Sequence, residues 1–373
     1  MEKGKISSLQ MAFMLYPTIV ATAILGIPSV TAKFAKTDFW MSPIFASFIG
    51  YLTVYLAVKL HKLYPGQTII QYSEQIIGRW LGKIIGFLFL SFYIQVTGLI
   101  VREYAEFVVD SFLIDTPIIV VMASMVLLCA FVVHGGLEGL GRGALLFIPV
   151  FLIPQIILFI LVFPDLEFKN IFPVLANGVM PPLKGSIVPG GWYTEFFLIS
   201  FLLPFLVDKK KGMRYGMMTV FAVMATLVIV NLVVLFVLGP TTSSKVYPLM
   251  NVARYISFAD FFEHMESFIM AIWVVGAFVK ISVFFYATAL GTAQWLKLTD
   301  YRPIVWPLGI FIVITGFWSI SNSMDLERYN VNAFPFYGAV IQTLLPLLLL
   351  LIAMISNKNK KNKQSNTTDA PMK

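Results

Sequence analysis

The sequence predicts an all-α membrane protein of about ten transmembrane helices, and three observations lead to that fold class. The 373 residues are 58% hydrophobic and only 12% charged, whereas a soluble domain carries about 25% charged residues. Apolar stretches of about 20 residues, the length that crosses a bilayer, recur along the whole chain. Lys and Arg cluster in short connectors between these stretches, which favours contact with a lipid bilayer and argues against nucleic acid.

Ten apolar spans follow one another along the chain, separated by polar connectors. They cover residues 7–32, 40–60, 82–110, 117–133, 143–163, 187–207, 216–238, 267–296, 304–320 and 334–355. The first is predicted to be a helix and not a cleaved secretory signal, because it is long and contains Gln10 and Pro17. Residues 1–356 are predicted to form a single transmembrane domain, and residues 357–373 a disordered basic cytoplasmic tail.

The charge distribution predicts the orientation. Ten spans place both termini on one side of the membrane. If that side is the cytoplasm, 18 of the 27 Lys and Arg lie inside and 7 outside. Because cytoplasmic connectors carry the excess of positive charge, both termini are predicted to be cytoplasmic.

Spans 1 and 6 are both interrupted by glycine and proline. Span 1 contains Gly26 and Pro28, and span 6 contains the run 189–191, Pro-Gly-Gly. Interruptions at positions 1 and 6 of ten indicate a five-plus-five inverted repeat, here about 7–163 and 187–355, with a ligand site between the repeats. In such a site the freed N–H groups of a half-helix in span 1 would suit a carboxylate. An ordinary kink in each helix is the alternative.

Two ionisable side chains are predicted to lie inside the bilayer, where charges are costly and are by default candidates for function. Glu195, in span 6, could hold a ligand ammonium, carry a proton or pair with a buried cation. Lys280, in span 8, could donate to freed carbonyl groups of span 1, at the place where sodium-coupled transporters of this kind hold a cation. That arrangement would make ligand binding sodium-independent. A Lys280–Glu195 pair that only fixes helix packing is the alternative.

A third charged group lies late in span 3. Arg102 and Glu106 are four residues apart on one helix face and are predicted to form an ion pair at the outer interface, with Glu103 beside them. No spacing of His, Cys or acidic residues indicates a metal site, and no motif indicates an enzyme or a cofactor.

Several short motifs resemble one family, the spore-germination permeases, which are the B subunits of GerA-type nutrient germinant receptors in the amino acid–polyamine–organocation superfamily. The motifs are Asp38-Phe39-Trp40, Tyr64-Pro65-Gly66-Gln67-Thr68, Arg102-Glu103-Tyr104-Ala105-Glu106-Phe107, Gly136-Leu137-Glu138 with Gly141-Arg142, Phe172-Pro173-Val174-Leu175 with Gly178, and Phe278-Val279-Lys280-Ile281-Ser282-Val283-Phe284-Phe285-Tyr286. Taken in order, these motifs extend the resemblance over about residues 6–355.

The resemblance implies a LeuT-like fold with a ligand pocket between spans 1, 3, 6 and 8. It also implies residence in the inner membrane of the bacterial spore, beside an A-type membrane subunit and a C-type lipoprotein. The implied role is to bind a small nutrient, such as an amino acid, and so trigger germination. An active amino-acid permease and a structural subunit with a vestigial pocket remain as alternatives.

The candidate ligand-binding residues follow from the interrupted spans and the buried charges. They are Thr22, Ala23, Leu25, Gly26, Tyr193, Thr194, Glu195 and Lys280. Thr194, and either Ala21 or Ala23, stand where relatives often have glycine. The pocket is therefore expected to be smaller than theirs, or of a different shape.

Overall fold

The computed structural model describes residues 2–255 and 265–368, and the regular structure in these ranges is helical. The α-helices are α1 (Ser8–Ala35), α2 (Ser42–Leu63), α3 (Ile69–Ile77), α4 (Arg79–Ser111), α5 (Ile118–Gly135), α6 (Leu137–Leu161), α7 (Met180–Gly185), α8 (Ile187–Thr194), α9 (Ile199–Leu202), α10 (Gly212–Leu238), α11 (Pro248–Tyr255), α12 (Met265–Leu296), α13 (Arg302–Ser319), α14 (Ser323–Asn332), α15 (Phe334–Ala339) and α16 (Leu345–Thr368).

The ten predicted spans are all present in the described residues. Nine continuous helical segments are long and apolar enough to cross a membrane, and the first, Ser8–Leu63, contains both α1 and α2. The sixth span is built from α7, α8 and α9, and the tenth from α15, a π-helical turn and α16. The protein is therefore a multi-pass membrane protein, as predicted.

Burial separates central helices from peripheral ones. In the segment that contains α8 and α9, 94% of the most apolar window is buried inside the protein, against 28% for α6 and for α13. A helix that is apolar all round and yet exposed must face lipid, so α6 and α13 lie at the perimeter. The first segment is also largely buried, at 83%. Since α1 packs against α6, α8, α10 and α12, it lies at the centre with α8.

Helix α1 corrects one prediction, because it is continuous from Ser8 to Ala35 with Pro17 and Pro28 inside it. Pro28 removes one backbone N–H, but helix formation is cooperative and the flanking turns remain bonded. The Thr31 hydroxyl adds a bond to the carbonyl of Ile27, at 2.6 Å. The half-helix N-terminus expected near residues 25–27 is therefore not formed.

Three short helices, α3, α11 and α14, lie outside the predicted spans and were not predicted; α3 and α14 have clear capping residues. Helix α3 begins at a capping box, in which the Gln71 side chain accepts from the backbone N–H of Thr68 at 3.2 Å. Helix α14 begins where the Asn322 side chain accepts from the N–H of Asp325 at 3.0 Å. Both are too short and too polar to resemble spans, so only their capping residues signal them in the sequence.

The end of the chain also differs from the prediction. Helix α16 continues to Thr368, so the first part of the predicted disordered tail is helical. Extending a helix that has already formed costs little per residue, which explains why a polar sequence can continue it. Residues 369–373 of the predicted tail lie outside the described residues.

The N-terminal segment is bonded to distant parts of the chain. The Glu2 carboxylate accepts from the Leu137 N–H and from the Tyr301 hydroxyl, both at 3.0 Å. The Ile6 N–H donates to the Phe205 carbonyl at 3.1 Å. These bonds join the N-terminus to two connectors that were predicted to be cytoplasmic and to the end of span 6.

Asp208 caps the N-terminus of α1 from another part of the chain. Its carboxylate accepts from the backbone N–H of Ser8 at 2.8 Å and from the Ser8 hydroxyl at 2.9 Å. The N–H is one of four at the helix start that lack a partner within the helix. Burial disfavours the charged carboxylate, but the bonds from Ser8, the backbone bond of Asp208 itself and the charge of Lys211 together outweigh this and lower the pKa of Asp208 below its ordinary value of 3.8.

We expect Asp208→Ala to lower the free energy of unfolding by about 0.5–1 kcal/mol, the lower part of the range for helix caps, because the carboxylate is partly exposed. A lowered folded-state pKa means that the stabilisation is present above the unfolded pKa and is lost as the pH falls through the folded value. Unfolding of both proteins in detergent between pH 7 and pH 3 measures this. A difference that stays constant across that range would contradict an ionic cap.

Candidate functional site

Span 6 changes its helix type in the middle of the molecule. Helix α8 ends at Thr194, and a 3₁₀ turn runs from Glu195 to Leu198 before α9 begins. A 3₁₀ stretch inside a helix often marks a functional hinge. The interruption predicted for span 6 is confirmed, but it follows Thr194 and does not lie at the glycines. Gly190 and Gly191 belong to α8.

A buried ion pair links three central elements at this turn. Lys280, on α12, lies with its Nζ 2.9 Å from Glu195 Oε2 and 3.2 Å from Oε1. The same ammonium donates to Thr22 Oγ1, on α1, at 2.7 Å. Both charged side chains are buried, with exposures of 0% and 1%. The pairing with Glu195 is the alternative left open by the sequence, and helix α1 is contacted through a hydroxyl group instead of a backbone carbonyl.

Trp192 completes this arrangement. Its indole Nε1 donates to Thr22 Oγ1 at 2.9 Å, so the threonine hydroxyl accepts from both the indole and the ammonium. The indole ring also packs edge-on against Phe334 of α15, with centroids 5.5 Å apart. These contacts hold the indole ring between α1 and α15. Its neighbours Tyr193 and Thr194 were predicted to be site residues, whereas Trp192 was not.

A cavity of about 310 Å³ lies on the outer side of the ion pair. Its wall includes Thr22, Leu25 and Gly26 of α1, together with Trp192 and Glu103. Residues 243–247, which follow α10, and helix α14 form its outer part. The volume lies at the lower end of the range for small-molecule sites, which fits a ligand of a few heavy atoms.

A second, much smaller cavity lies deeper. It measures about 20 Å³, room for one water molecule. Glu195 and Lys280 lie in its wall with the Tyr329 side chain, whose hydroxyl is buried without a hydrogen-bond partner among the described residues. Glu103 and Trp192 line both cavities, so the two cavities are neighbours and the inner one borders the ion pair.

Three predicted site residues line neither of the two cavities. The Thr194 hydroxyl donates to the Gly191 carbonyl at 2.7 Å and accepts from the Gln342 amide at 3.1 Å, so it faces the π-helical turn of span 10. Tyr193 is fully buried and packs close to Gly50 of α2. Ala23 is fully buried in the core. The methyl groups expected to narrow the pocket at Thr194 and Ala23 therefore lie away from the cavities.

The charged group of span 3 also departs from its predicted setting. Arg102 Nε lies 2.7 Å from Glu106 Oε1, which confirms the ion pair, but the two side chains are only 8% and 5% exposed. Arg102 also donates to the Ser321 carbonyl at 3.5 Å, in the segment that leads into α14. Because this segment covers the outer end of α4, the pair is buried and does not lie at an open rim.

Comparison of the whole chain with known proteins identifies its family. The model of the family described as spore germination protein matches residues 5–324. The chain belongs to this spore germination protein family. Spore germination protein KB of Bacillus subtilis (strain 168) is 28% identical over 358 residues, which cover 94% of each chain. Spore germination protein YndE of the same strain is 24% identical over 354 residues, which cover 93% of this chain and 95% of the relative.

Solved structures show the fold of this spore germination protein. The transporter MhsT, in complex with L-phenylalanine, superposes with a TM-score of 0.65 at 12% identity, covering 94% of this chain and 89% of that one. A nucleobase–cation symport family transporter, closed around bromovinylhydantoin, gives a TM-score of 0.71 at 10% identity, covering 93% and 78%. These are LeuT-fold transporters, so the predicted LeuT-like fold is confirmed.

Proposed function

We propose that this protein is the permease-like membrane subunit of a nutrient germinant receptor in the inner membrane of the bacterial spore. It binds a small nutrient, such as an amino acid, and thereby triggers germination. Its partners in this role are an A-type membrane subunit and a C-type lipoprotein. One observation carries the proposal, namely the outer cavity of about 310 Å³, which shares Glu103 and Trp192 with the small cavity that borders the Lys280–Glu195 pair.

The geometry indicates how binding would be transmitted. A ligand in the outer cavity touches α1 at Leu25 and Gly26 and lies beside Trp192. Trp192 and Lys280 share the hydroxyl of Thr22, and Lys280 holds Glu195 at the start of the 3₁₀ turn. A ligand that fits one arrangement of these helices better than another shifts the population toward it. Signalling of this kind requires no net transport.

An active amino-acid permease is the second candidate, favoured by the transporter fold of the structural neighbours. Both functions need the same cavity, so the structure of the cavity does not separate them. Counterflow of a radiolabelled ligand in proteoliposomes does, because a permease exchanges ligand across the bilayer and a receptor subunit does not. The remaining alternative, a structural subunit with a vestigial pocket, would bind no ligand at all.

A ligand screen tests the proposal, and Gly26 supplies the variant. A Cβ atom built on Gly26 has no neighbour within 4 Å, and the residue lines the outer cavity. Gly26→Phe therefore places a large side chain in the cavity, and its Cβ atom meets no neighbour. A ligand at a hundredfold excess over Kd stabilises the wild type by about 2.7 kcal/mol. We expect Gly26→Phe to abolish this thermal shift and to leave the Tm without ligand unchanged.

Gly26→Ala is the matched control. It adds only a methyl group and, as a helix-favouring change, should raise the stability by about 0.5–1 kcal/mol while ligand binding persists. A thermal shift that survives in Gly26→Phe would place the ligand outside the outer cavity. No shift of the wild type with any amino acid, sugar or salt, alone or with its partner subunits, would contradict the proposed function.

A further inference from the structure

We propose that Glu103 binds the cationic nitrogen of the ligand and that Lys245 lies at its anionic end, so that the cavity selects zwitterions. This inference rests on the proposed function and assigns the orientation of the ligand within it. Glu103 was predicted to be an interfacial charge, yet it is partly buried and lines both cavities. It is thus placed where a ligand in the outer cavity meets the inner one.

The charges around the cavities are otherwise paired. Glu106 is bonded to Arg102, Lys33 to Glu327 at 2.7 Å, and Glu195 to Lys280. Glu103 and Lys245 line the outer cavity without an ion-pair or hydrogen-bond partner among the described residues. A carboxylate that is removed from water without gaining a partner loses hydration free energy. A cationic group of the ligand would compensate for this loss.

Helix geometry explains why Glu103 remains unpaired. Residues 102 and 106 share one face of α4, so the guanidinium of Arg102 is held by Glu106. Glu103 is turned by about 100° from Arg102 because it is the next residue of the helix. The remaining nearby cation, Lys280, is held by Glu195 and Thr22. Glu103 therefore lines the cavities close to other carboxylates. The negative charge of this region favours a cationic ligand.

Aromatic groups beside Glu103 favour the same guest. Trp192 lines both cavities, and Tyr247 lines the outer one. Their rings attract a cation through the negative potential of the ring face. Tyr329 contributes a buried hydroxyl without a partner to the wall of the inner cavity, where Glu103 also lies. A ligand ammonium carries several N–H donors, so it can satisfy the carboxylate and this hydroxyl together.

Lys245 differs from Glu103 in its position. It lies in the segment after α10 and lines the outer cavity but not the inner one, and Val30, Val188 and Leu326 add apolar wall to the outer cavity. This order suits an amino acid that enters with its ammonium group inward, its carboxylate outward and its side chain against the apolar wall. Such an orientation needs no helix N-terminus, which the continuous α1 does not offer.

Binding measurements on the purified full-length protein test the inference. The probes are the twenty common amino acids, with D-glucose and KCl as uncharged and inorganic comparisons. For an amino acid that binds, we expect Glu103→Gln to raise its Kd by about 10- to 100-fold, the value of a charge-assisted hydrogen bond. The deaminated analogue of that amino acid should bind the wild type and Glu103→Gln equally weakly. Lys245→Gln should weaken binding of the amino acid but not of its decarboxylated amine.

Glu167→Gln is the matched control, because Glu167 is an outer-face carboxylate paired with Lys169 and does not line either cavity. The Tm of Glu103→Gln without ligand should equal or exceed that of the wild type, which separates lost binding from lost folding. An unchanged Kd in Glu103→Gln, or binding of glucose alone, overturns the inference and leaves the proposed function intact. Failure of the wild type to bind any probe, alone or with its partner subunits, overturns both.

Discussion

Lys280→Met is expected to lower the free energy of unfolding by about 3–5 kcal/mol, the usual cost of leaving one partner of a buried ion pair alone. The reason lies in Glu195, which is 1% exposed and has the Lys280 ammonium 2.9 Å away. Without the ammonium, its carboxylate must stay charged in an apolar interior or take up a proton, and either event destabilises the fold. Thermal unfolding in detergent micelles measures the loss.

The double variant Lys280→Met/Glu195→Met distinguishes the cause. When both charges are replaced by apolar groups of similar size, no uncompensated charge remains, and much of the stability should return. Lys33→Met is the matched control, because the Lys33–Glu327 pair is about half exposed and should contribute no more than about 1 kcal/mol. If the double variant is as unstable as Lys280→Met, then lost packing explains the effect and lost charge pairing does not.

Gly316→Ala is expected to produce the second large loss, about 1–3 kcal/mol or more, through overpacking. Helices α4 and α13 cross at Gly98 and Gly316, where a Cβ atom on Gly316 would lie 2.3 Å from the Gly98 carbonyl oxygen. The obstacle is backbone, so the two helices must separate to admit the methyl group. Close approach at small residues is a main source of helix association in membranes.

Gly139→Ala is the control for this substitution. Gly139 also lies inside a helix, but nothing stands within 4 Å of a Cβ atom built on it. Its replacement should therefore stabilise the protein slightly, by about 0.5–1 kcal/mol. Equal behaviour of the two variants in thermal unfolding would show that α4 and α13 do not depend on this close crossing.

The spans could be predicted because the bilayer imposes a simple rule on sequence. A chain in hydrocarbon must satisfy its backbone groups internally, so each crossing appears as a long apolar helix. Buried charges such as Glu195 and Lys280 stand out against that background for the same reason. Their mutual bond could only be named as one of two alternatives, since it depends on how α8 and α12 meet in three dimensions.

The role of Glu103 could not be predicted, because its surroundings come from distant parts of the chain. Its place near the end of α4 indicated an interface. Helix α14 and residues 243–247 fold over that end and turn the interface into the wall of a cavity. Gly26 and Pro28, by contrast, led to a wrong prediction. They suggested a broken helix, and yet α1 continues through both.

The Lys280 ammonium provides a positive charge at the centre of the molecule, and this charge is covalently attached to the chain. A mobile cation in such a place can be exchanged with the surrounding solution, so an ion gradient can do work through it. A tethered cation cannot leave, so it does not exchange with the ions on either side of the membrane. Ligand binding beside such a tethered cation should not depend on the sodium concentration.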